Sequence, residues 1–178
     1  MKNYERKSRT LEYRGSILDI YKDQICFEDG HEELWDFVSH RKGAAAVVAV
    51  TEDGKLLMVR QYRNALNRET IELPAGARDS VNEDTMICAA RELEEETGYR
   101  AGKIERILSL KTTVAFCDEL VDVYLATDLQ KGKKNLDPGE SIEIEKYDIK
   151  NLLEMIFNGE IQDAKTVAGI LAYRELSR

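Results

Sequence analysis

Cysteine and histidine are scarce in this 178-residue sequence. The three cysteines, Cys26, Cys88 and Cys117, are widely spaced and form no C-x-x-C pair. This pattern does not indicate a disulfide framework, and reduced thiols in a cytoplasm fit it best. Only two histidines, His31 and His40, accompany the cysteines, so a zinc site is not expected.

Long apolar runs and an excess of positive charge are also absent. No stretch approaches the roughly 18 residues that a membrane-spanning helix needs, and the N-terminus lacks the apolar core of a signal peptide. The net charge is −8, which disfavours nonspecific binding to nucleic acid or to anionic membranes. We therefore expect a cytoplasmic protein that binds neither, and that would need a cation between itself and a phosphate substrate.

The first 42 residues read as an appendage to a single domain, 43–178. We predict short antiparallel strands in 1–42 because apolar residues alternate with polar ones and Glu28-Asp29-Gly30-His31 is a hairpin signal. The alternating apolar residues are Ile17, Leu18, Ile20, Tyr21, Ile25 and Phe27. No helix of this segment can cover them, so we expect the strands to pack on a second chain in a homodimer.

Residues 43–178 contain both strand and helix patterns. The predicted strands are 43–50, 55–62, 70–73, 103–110, 120–127 and one that begins at 142. Besides a helix within 72–99, the predicted helices are 148–157, with Leu152, Leu153, Ile156 and Phe157 on one face, and 164–176, capped by Asp163. This order predicts an α+β fold in which helices flank a mixed sheet.

The most informative stretch is 72–99, which has five glutamates between Glu83 and Glu96. We predict a helix that starts at Ser80 or Asn82 and ends at Gly98, a residue suited to the left-handed conformation that follows a helix. The small apolar face of this helix consists of Met86, Ala89, Ala90, Leu93 and Thr97.

A second face of this helix concentrates negative charge. Glu92, Glu95 and Glu96 are three and four residues apart, where like charges repel by roughly 0.2–0.5 kcal/mol per pair. A solvated acidic face is the ordinary explanation of such a run. A hard divalent cation would instead turn the repulsion into coordination, so we predict metal ligation by Glu92 and Glu96 first and by Glu95 next.

These residues and their neighbours resemble the signature of the Nudix hydrolases, G-x5-E-x7-R-E-U-x-E-E-x-G-U, in which U is bulky and apolar. The matching positions are Glu83, Arg91, Glu92, Leu93, Glu95, Glu96, Gly98 and Tyr99. One departure is that six residues, not five, separate Gly76 from Glu83. Loops tolerate such an insertion at small cost, and the helical half of the signature is unbroken.

Segments outside the signature resemble the ADP-ribose pyrophosphatase branch of that family. They are VRQYR at 59–63, ELPAG at 72–76, FCDE at 116–119 and IQDAKT at 161–166. The chain departs from the branch at Thr113-Val114-Ala115, where Ser-Pro-Gly is usual, and in an acidic loop of which only Glu140 is kept. The resemblance implies an α/β/α sandwich around a mixed sheet, with N-terminal strands used in dimerisation.

The activity that this resemblance implies is hydrolysis of the pyrophosphate bond of a nucleoside diphosphate derivative. ADP-ribose would give AMP and ribose 5-phosphate, with two or three Mg²⁺ ions, or Mn²⁺, at the site. Another nucleotide sugar or a dinucleotide, such as GDP-mannose or NADH, is an alternative substrate. A non-catalytic ADP-ribose-binding module is a third alternative, which the intact Glu92, Glu95 and Glu96 disfavour.

Catalytic roles follow from the same resemblance. It adds the carbonyl of Ala75 to the metal ligands and places the general base at Glu140, which is otherwise explained as a solvated loop residue. A separate base is required if metal occupies the helix carboxylates, but Glu95 and Glu83 remain alternatives. Arg91 either acts directly or forms a salt bridge that orients the metal ligands.

Three further residues are candidate substrate contacts. Arg63 has a planar guanidinium that binds phosphate bidentately, although a surface ion pair explains it equally well. Trp35 lies in LWDFV, which resembles the strand whose tryptophan stacks on adenine in some members of the branch; a core tryptophan is the alternative. Glu119 could contact substrate or a partner chain, or be solvated.

Overall fold

The N-terminal segment forms a separate three-stranded antiparallel sheet. In the computed structural model, which describes residues 3–178, its strands are β1 (Tyr4–Arg14), β2 (Leu18–Phe27) and β3 (Glu32–His40), in the order β1-β2-β3. Gly30 has a φ of 87° in the turn between β2 and β3, a conformation that glycine adopts without strain. The predicted antiparallel strands are confirmed, but at 11, 10 and 9 residues they are not short. The first two residues of the segment lie outside the described part.

This sheet leaves apolar side chains uncovered in the single chain. Ile25 is buried, but Leu34, Tyr13 and Leu11 are 68%, 59% and 40% exposed. A charge pair helps to join its strands, since Asp23 accepts two bonds of 2.6 Å from Arg9 across β1 and β2. The N-terminal sheet therefore has surface to bury and no layer of its own to bury it.

The second sheet has seven strands of mixed polarity. Its strands are β4 (Ala44–Val50), β5 (Leu56–Arg63), β6 (Arg68–Glu72), β7 (Ala75–Ala77), β9 (Lys103–Lys111), β10 (Leu120–Thr127) and β12 (Ile142–Tyr147). Their order is β12-β5-β4-β10-β9, with β6 beside β5 and β7 beside β4. Only β4 and β10 run parallel within this described sheet. The remaining strands, β8 (Tyr99–Arg100) and β11 (Gln130–Lys131), pair with each other.

Helices cover both faces of the seven-stranded sheet. They are α1 (Thr85–Thr97), α2 (Ile149–Phe157) and α3 (Ala164–Leu176). Side chains of β4 alternate between the two faces: Val47 shares a buried cluster with Leu93 of α1, and Val48 shares the other with Leu152 of α2 and Ile170 of α3. A central strand covered on both faces accounts for the continuous apolar run of β4. The predicted α/β/α sandwich with a mixed sheet is confirmed.

Details at the helix ends differ from the sequence-based expectation. α1 begins after Asp84, whose carboxylate accepts a 2.8 Å bond from Met86 N, whereas Ser80 and Asn82 lie in the preceding loop. All three residue types are good N-caps, so local preference alone could not choose among them. Met86 and Phe157, expected on apolar faces, are 44% and 80% exposed because each stands in a terminal turn of its helix.

The start of α3 agrees with the expectation. The carboxylate of Asp163 accepts a 3.0 Å bond from Thr166 N, as an N-cap does. No helix within residues 3–178 has the length and apolar character to cross a membrane.

Candidate active site

Strand β7 brings its backbone directly against α1. Gly76, the middle residue of β7, leaves room for Glu92, because a Cβ at Gly76 would lie 2.2 Å from Glu92 Oε1. Any larger residue would displace that carboxylate. Beside it, Ala75 N donates a 2.9 Å bond to Glu96 Oε2. Strand β7 and the helix carboxylates therefore face each other, while coordination of a metal by the Ala75 carbonyl stays a prediction.

The helix carboxylates lie in an environment that disfavours negative charge. Only 3% of Glu96 is exposed, and this burial raises its pKa to about 8, with Glu92 and Glu140 adding to the rise. Burial also raises the pKa of Glu92, with Glu95 and Glu140 contributing, although Arg91 acts in the opposite direction. Such a group of carboxylates is stabilised when positive charge is added beside it.

Arg91 supplies positive charge to this group. Its Nη1 donates bonds of 2.7 Å to Glu92 and 3.0 Å to Glu95, and its Nε donates a 3.2 Å bond to Glu83. Nη2 donates to the Ala77 carbonyl oxygen at 3.1 Å. These bonds correspond to the expected salt bridge that orients the carboxylates. A direct role for Arg91 in the chemistry stays a prediction.

The extra loop residue is accommodated in a braced turn before α1. Asp79 N donates a 2.6 Å bond to Glu83 Oε2, and Lys42 Nζ donates a 2.6 Å bond to the Asp79 carbonyl oxygen. Arg78 Nη1 donates to the carbonyl oxygens of Val81 and Glu83 at 3.0 and 3.1 Å. These bonds hold the loop between β7 and α1 in place.

Glu140 reaches the helix carboxylates from the loop before β12. A cavity of about 300 Å³, which we call the carboxylate cavity, has Glu140, Glu92 and Glu95 on its wall. Glu140 Oε2 accepts a 3.0 Å bond from Asp137 N, and Glu140 N donates a 3.0 Å bond to the Asp137 carbonyl oxygen. The fold thus brings two of the three candidate bases, Glu140 and Glu95, to one cavity, whereas Glu83 does not line it. The assignment of the general base to Glu140 stays a prediction.

A second cavity of about 390 Å³ adjoins the first, and Ala75–Ala77 line both. We call it the arginine cavity, after Arg63 on its wall. Glu119 also lines it and accepts a 2.7 Å bond from Thr112 Oγ1. The fold therefore brings two of the three candidate substrate contacts into one cavity, and binding by them stays a prediction.

The sequence analysis did not single out Lys165, which lines the arginine cavity, or Glu72, which bonds to both Arg63 and Lys165. Arg63 donates from Nε and Nη2 to Glu72 at 2.7 and 2.6 Å, and Lys165 Nζ donates to Glu72 at 2.6 Å. Arg63 thus has an ion pair, but its partner is buried and not on the surface. The sequence did contain a signal for both residues, because Glu72 lies in the segment ELPAG and Lys165 in the segment IQDAKT, which carry the family resemblance.

Glu72 remains charged despite its burial. Burial alone would raise its pKa, but the bonds and charges of Arg63 and Lys165, with Thr70 Oγ1 at 2.7 Å, outweigh burial and lower the pKa to about 2. A buried carboxylate with several charge-assisted donors is expected to behave in this way.

Trp35 lies outside both cavities of its own chain. Its side chain stands edge-on to Tyr4 with ring centroids 5.0 Å apart, and its Nε1 donates a 2.6 Å bond to Glu33. Because Trp35 is 38% exposed, the alternative that it is a core residue is wrong. Stacking of Trp35 on adenine stays a prediction, and it would require the site of another chain.

The helix carboxylates have the right chemistry for a divalent cation but are not gathered around a single point. Within residues 3–178, no three acidic, histidine or cysteine side chains converge closely enough to bind a metal as they stand. Arg91 holds Glu92 and Glu95, and Ala75 N holds Glu96. Carboxylate oxygens and a shortage of positive charge fit a hard cation, provided that these side chains rotate towards it.

Comparison with known proteins connects this geometry to a family. Residues 40–169 match the model of the NUDIX domain. The chain is 37% identical over 174 residues to the ADP-ribose pyrophosphatase of Bacillus subtilis (strain 168), covering 96% of this chain and 93% of the relative. It is 34% identical over 174 residues to the methanol dehydrogenase activator of Bacillus methanolicus, covering 95% and 92%. It is 31% identical over 144 residues to the GDP-mannose pyrophosphatase of Escherichia coli (strain K12), covering 76% and 74%.

A solved structure agrees with the fold described above. The crystal structure of an ADP compounds hydrolase matches with a TM-score of 0.89 and 17% identity, covering 99% of this chain and 95% of that one. At that identity the likeness supports the fold, including the attached N-terminal sheet.

Proposed function

This chain belongs to the NUDIX family and is a Nudix pyrophosphohydrolase, and from that premise we propose that it hydrolyses ADP-ribose to AMP and ribose 5-phosphate. The observation that carries the proposal is the junction of the two cavities along Ala75–Ala77. One cavity has the carboxylates Glu92, Glu95 and Glu140, and the other has Arg63. A diphosphate that lies across the junction has a water-activating group on one side and a phosphate-binding group on the other.

The metal ligands in this proposal are Glu92, Glu95, Glu96 and the Ala75 carbonyl, which would hold two or three Mg²⁺ ions, or Mn²⁺. When bound, the ions neutralise the phosphate oxygens and lower the pKa of the attacking water. The chain supplies the orientation: Arg91 bonds to Glu92 and Glu95, and Ala75 N bonds to Glu96.

Glu140 takes the proton from the attacking water in this proposal. Its place on the wall of the carboxylate cavity supports the assignment, since a base must come within hydrogen-bond reach of its proton. Gly139, with a φ of 94°, allows the turn that carries Glu140 to project its side chain. If Glu140 does not act, Glu95 on the same wall is the next candidate.

Substrate contacts in this proposal come from two copies of the chain. Arg63 binds a phosphate, and Glu119 contacts the substrate in the arginine cavity. Trp35, which lines neither cavity of its own chain, would stack on the adenine of the partner's substrate. The uncovered N-terminal sheet within residues 1–42 supports a homodimer in which this sheet meets residues 43–178 of the other copy. Light scattering should give twice 20.3 kDa, and a monomeric mass at micromolar concentration would refute the dimer.

The substrate is tested with a panel. The protein is incubated with Mg²⁺ and ADP-ribose, GDP-mannose or NADH, and the released AMP and GMP are separated by chromatography. We expect the highest kcat/KM for ADP-ribose. A higher value for GDP-mannose or NADH would move the proposal to that substrate, and binding of ADP-ribose without turnover would make the protein a binding module. The Glu96→Gln variant controls for contaminating hydrolases.

A further inference from the structure

Glu72 does not line the arginine cavity itself, but with Arg63 and Lys165 it lines a neighbouring cavity of about 350 Å³. It ends β6 and is 2% exposed. Its Oε1 accepts bonds from Arg63 Nε at 2.7 Å and from Thr70 Oγ1 at 2.7 Å, and its Oε2 accepts bonds from Arg63 Nη2 and Lys165 Nζ, both at 2.6 Å. One buried carboxylate therefore joins the end of β5 to the first turn of α3.

The two cations that Glu72 joins both face the arginine cavity. Arg63 uses two of its five N–H donors on Glu72, and Lys165 uses two of its three on Glu72 and Asp163. Donors are thus left on both groups. Without a carboxylate between them, two cations from different elements would repel each other and separate.

From this arrangement we infer that Glu72 is a positioning residue for substrate. It holds the guanidinium of Arg63 and the ammonium of Lys165 side by side, so that their remaining donors meet one phosphate of a nucleoside diphosphate derivative. The inference rests on the proposed function, because it concerns the same substrate. It adds the group that acts through Arg63 and Lys165 without touching the substrate itself.

Net charge alone would not attract a phosphate here. The arginine cavity is also lined by Asp163 and Glu119, so its two cations face two carboxylates even before Glu72 is counted. Phosphate binding then depends on directed donors and not on a positive potential. The two effects predict opposite results when Glu72 loses its charge: a charge effect strengthens binding of an anionic substrate, and a positioning effect weakens it.

The Glu72→Gln variant tests whether loss of this charge weakens or strengthens substrate binding. We expect KM for ADP-ribose to rise at least about tenfold with kcat changed by less than about threefold, the pattern for a contact made equally in the ground and transition states. Glu145→Gln is the matched control, because Glu145 pairs with Arg60, also on β5, at 2.6 and 3.2 Å, and lines neither cavity. It should retain the wild-type KM. A KM for Glu72→Gln that is unchanged or lower would overturn the inference.

Two additions keep the test valid if Glu72→Gln folds poorly or if ADP-ribose is not the substrate. Glu72→Asp keeps the charge but shortens the reach, so the carboxylate cannot hold both Arg63 and Lys165, and KM should again rise. Calorimetric titration with inorganic pyrophosphate needs no turnover. We expect Kd to rise at least about fivefold in both Glu72 variants and to be unchanged in Glu145→Gln. If all proteins bind pyrophosphate with the same Kd, the positioning role of Glu72 is refuted. If Kd rises only in the Glu72 variants but the wild type does not hydrolyse ADP-ribose, the positioning role stands and only ADP-ribose is refuted as the substrate.

Discussion

The stability of this protein in acid should depend strongly on Glu72. Its pKa is lowered from the ordinary value of 4.5 to about 2, because the bonds and charges of Arg63 and Lys165 outweigh the effect of burial. A carboxyl with a depressed pKa in the folded state contributes stability that is present above pH 4.5 and is lost as the pH falls towards 2. At about 1.36 kcal/mol for each unit by which the pKa is lowered, the full contribution is about 3 kcal/mol.

The Glu72→Gln variant removes this contribution. At pH 7 the wild type should exceed the variant in free energy of unfolding by about 3 kcal/mol, the scale of breaking a buried ion pair. At pH 3 the carboxyl is mostly protonated in the unfolded chain but still mostly ionised in the folded one, so linkage leaves somewhat less than half of the difference. Urea unfolding at both pH values measures it, with tryptophan fluorescence of Trp35 and circular dichroism as independent signals.

The test is how much the difference in unfolding free energy between wild type and variant changes from pH 7 to pH 3. A difference between wild type and Glu72→Gln that stays constant within about 0.5 kcal/mol from pH 7 to pH 3 would show that Glu72 is not held in its charged form by Arg63 and Lys165. Glu145→Gln is the comparison, since Glu145 also has a lowered pKa but a side chain that is 26% exposed. Its pH-dependent difference should be smaller because solvent screens exposed pairs.

Three predictions concern the active site. Glu96→Gln should fold normally and lose at least about a hundredfold in kcat with Mg²⁺, the scale of one strong electrostatic contribution; near-normal turnover would contradict the metal assignment. Glu140→Gln should lower kcat by about 10²–10⁴ with little change in KM, and a variant that keeps more than a tenth of the wild-type kcat would transfer the base to Glu95. Trp35→Ala should raise KM for ADP-ribose with little change in kcat, because stacking on a base is worth about 1–3 kcal/mol, and ligand should quench the wild-type fluorescence; an unchanged KM without quenching would exclude stacking.

Elements with a local pattern could be predicted from the sequence. β4 follows from seven consecutive apolar residues, and the end of α1 at Gly98, which has a φ of 71°, follows from the conformational freedom of glycine. The carboxylate face of Glu92, Glu95 and Glu96 follows from helical spacing, which depends only on residues three and four apart. The two-sided sheet follows from the order of strand and helix patterns.

Partnerships between distant residues required the tertiary structure. Glu72 and Lys165 are 93 residues apart, and no local rule relates a strand end to the first turn of a helix that far along the chain. The same holds for Glu140, which joins Glu92 and Glu95 only when the loop before β12 folds over the carboxylate cavity. The choice of Asp84 over Ser80 as N-cap and the exposure of Phe157 could likewise not be read from local preference. Short-range periodicity determines which elements form and which face they bury. The contacts that assemble a site depend on how those elements meet in space, and the spacing of residues along the chain does not contain that information.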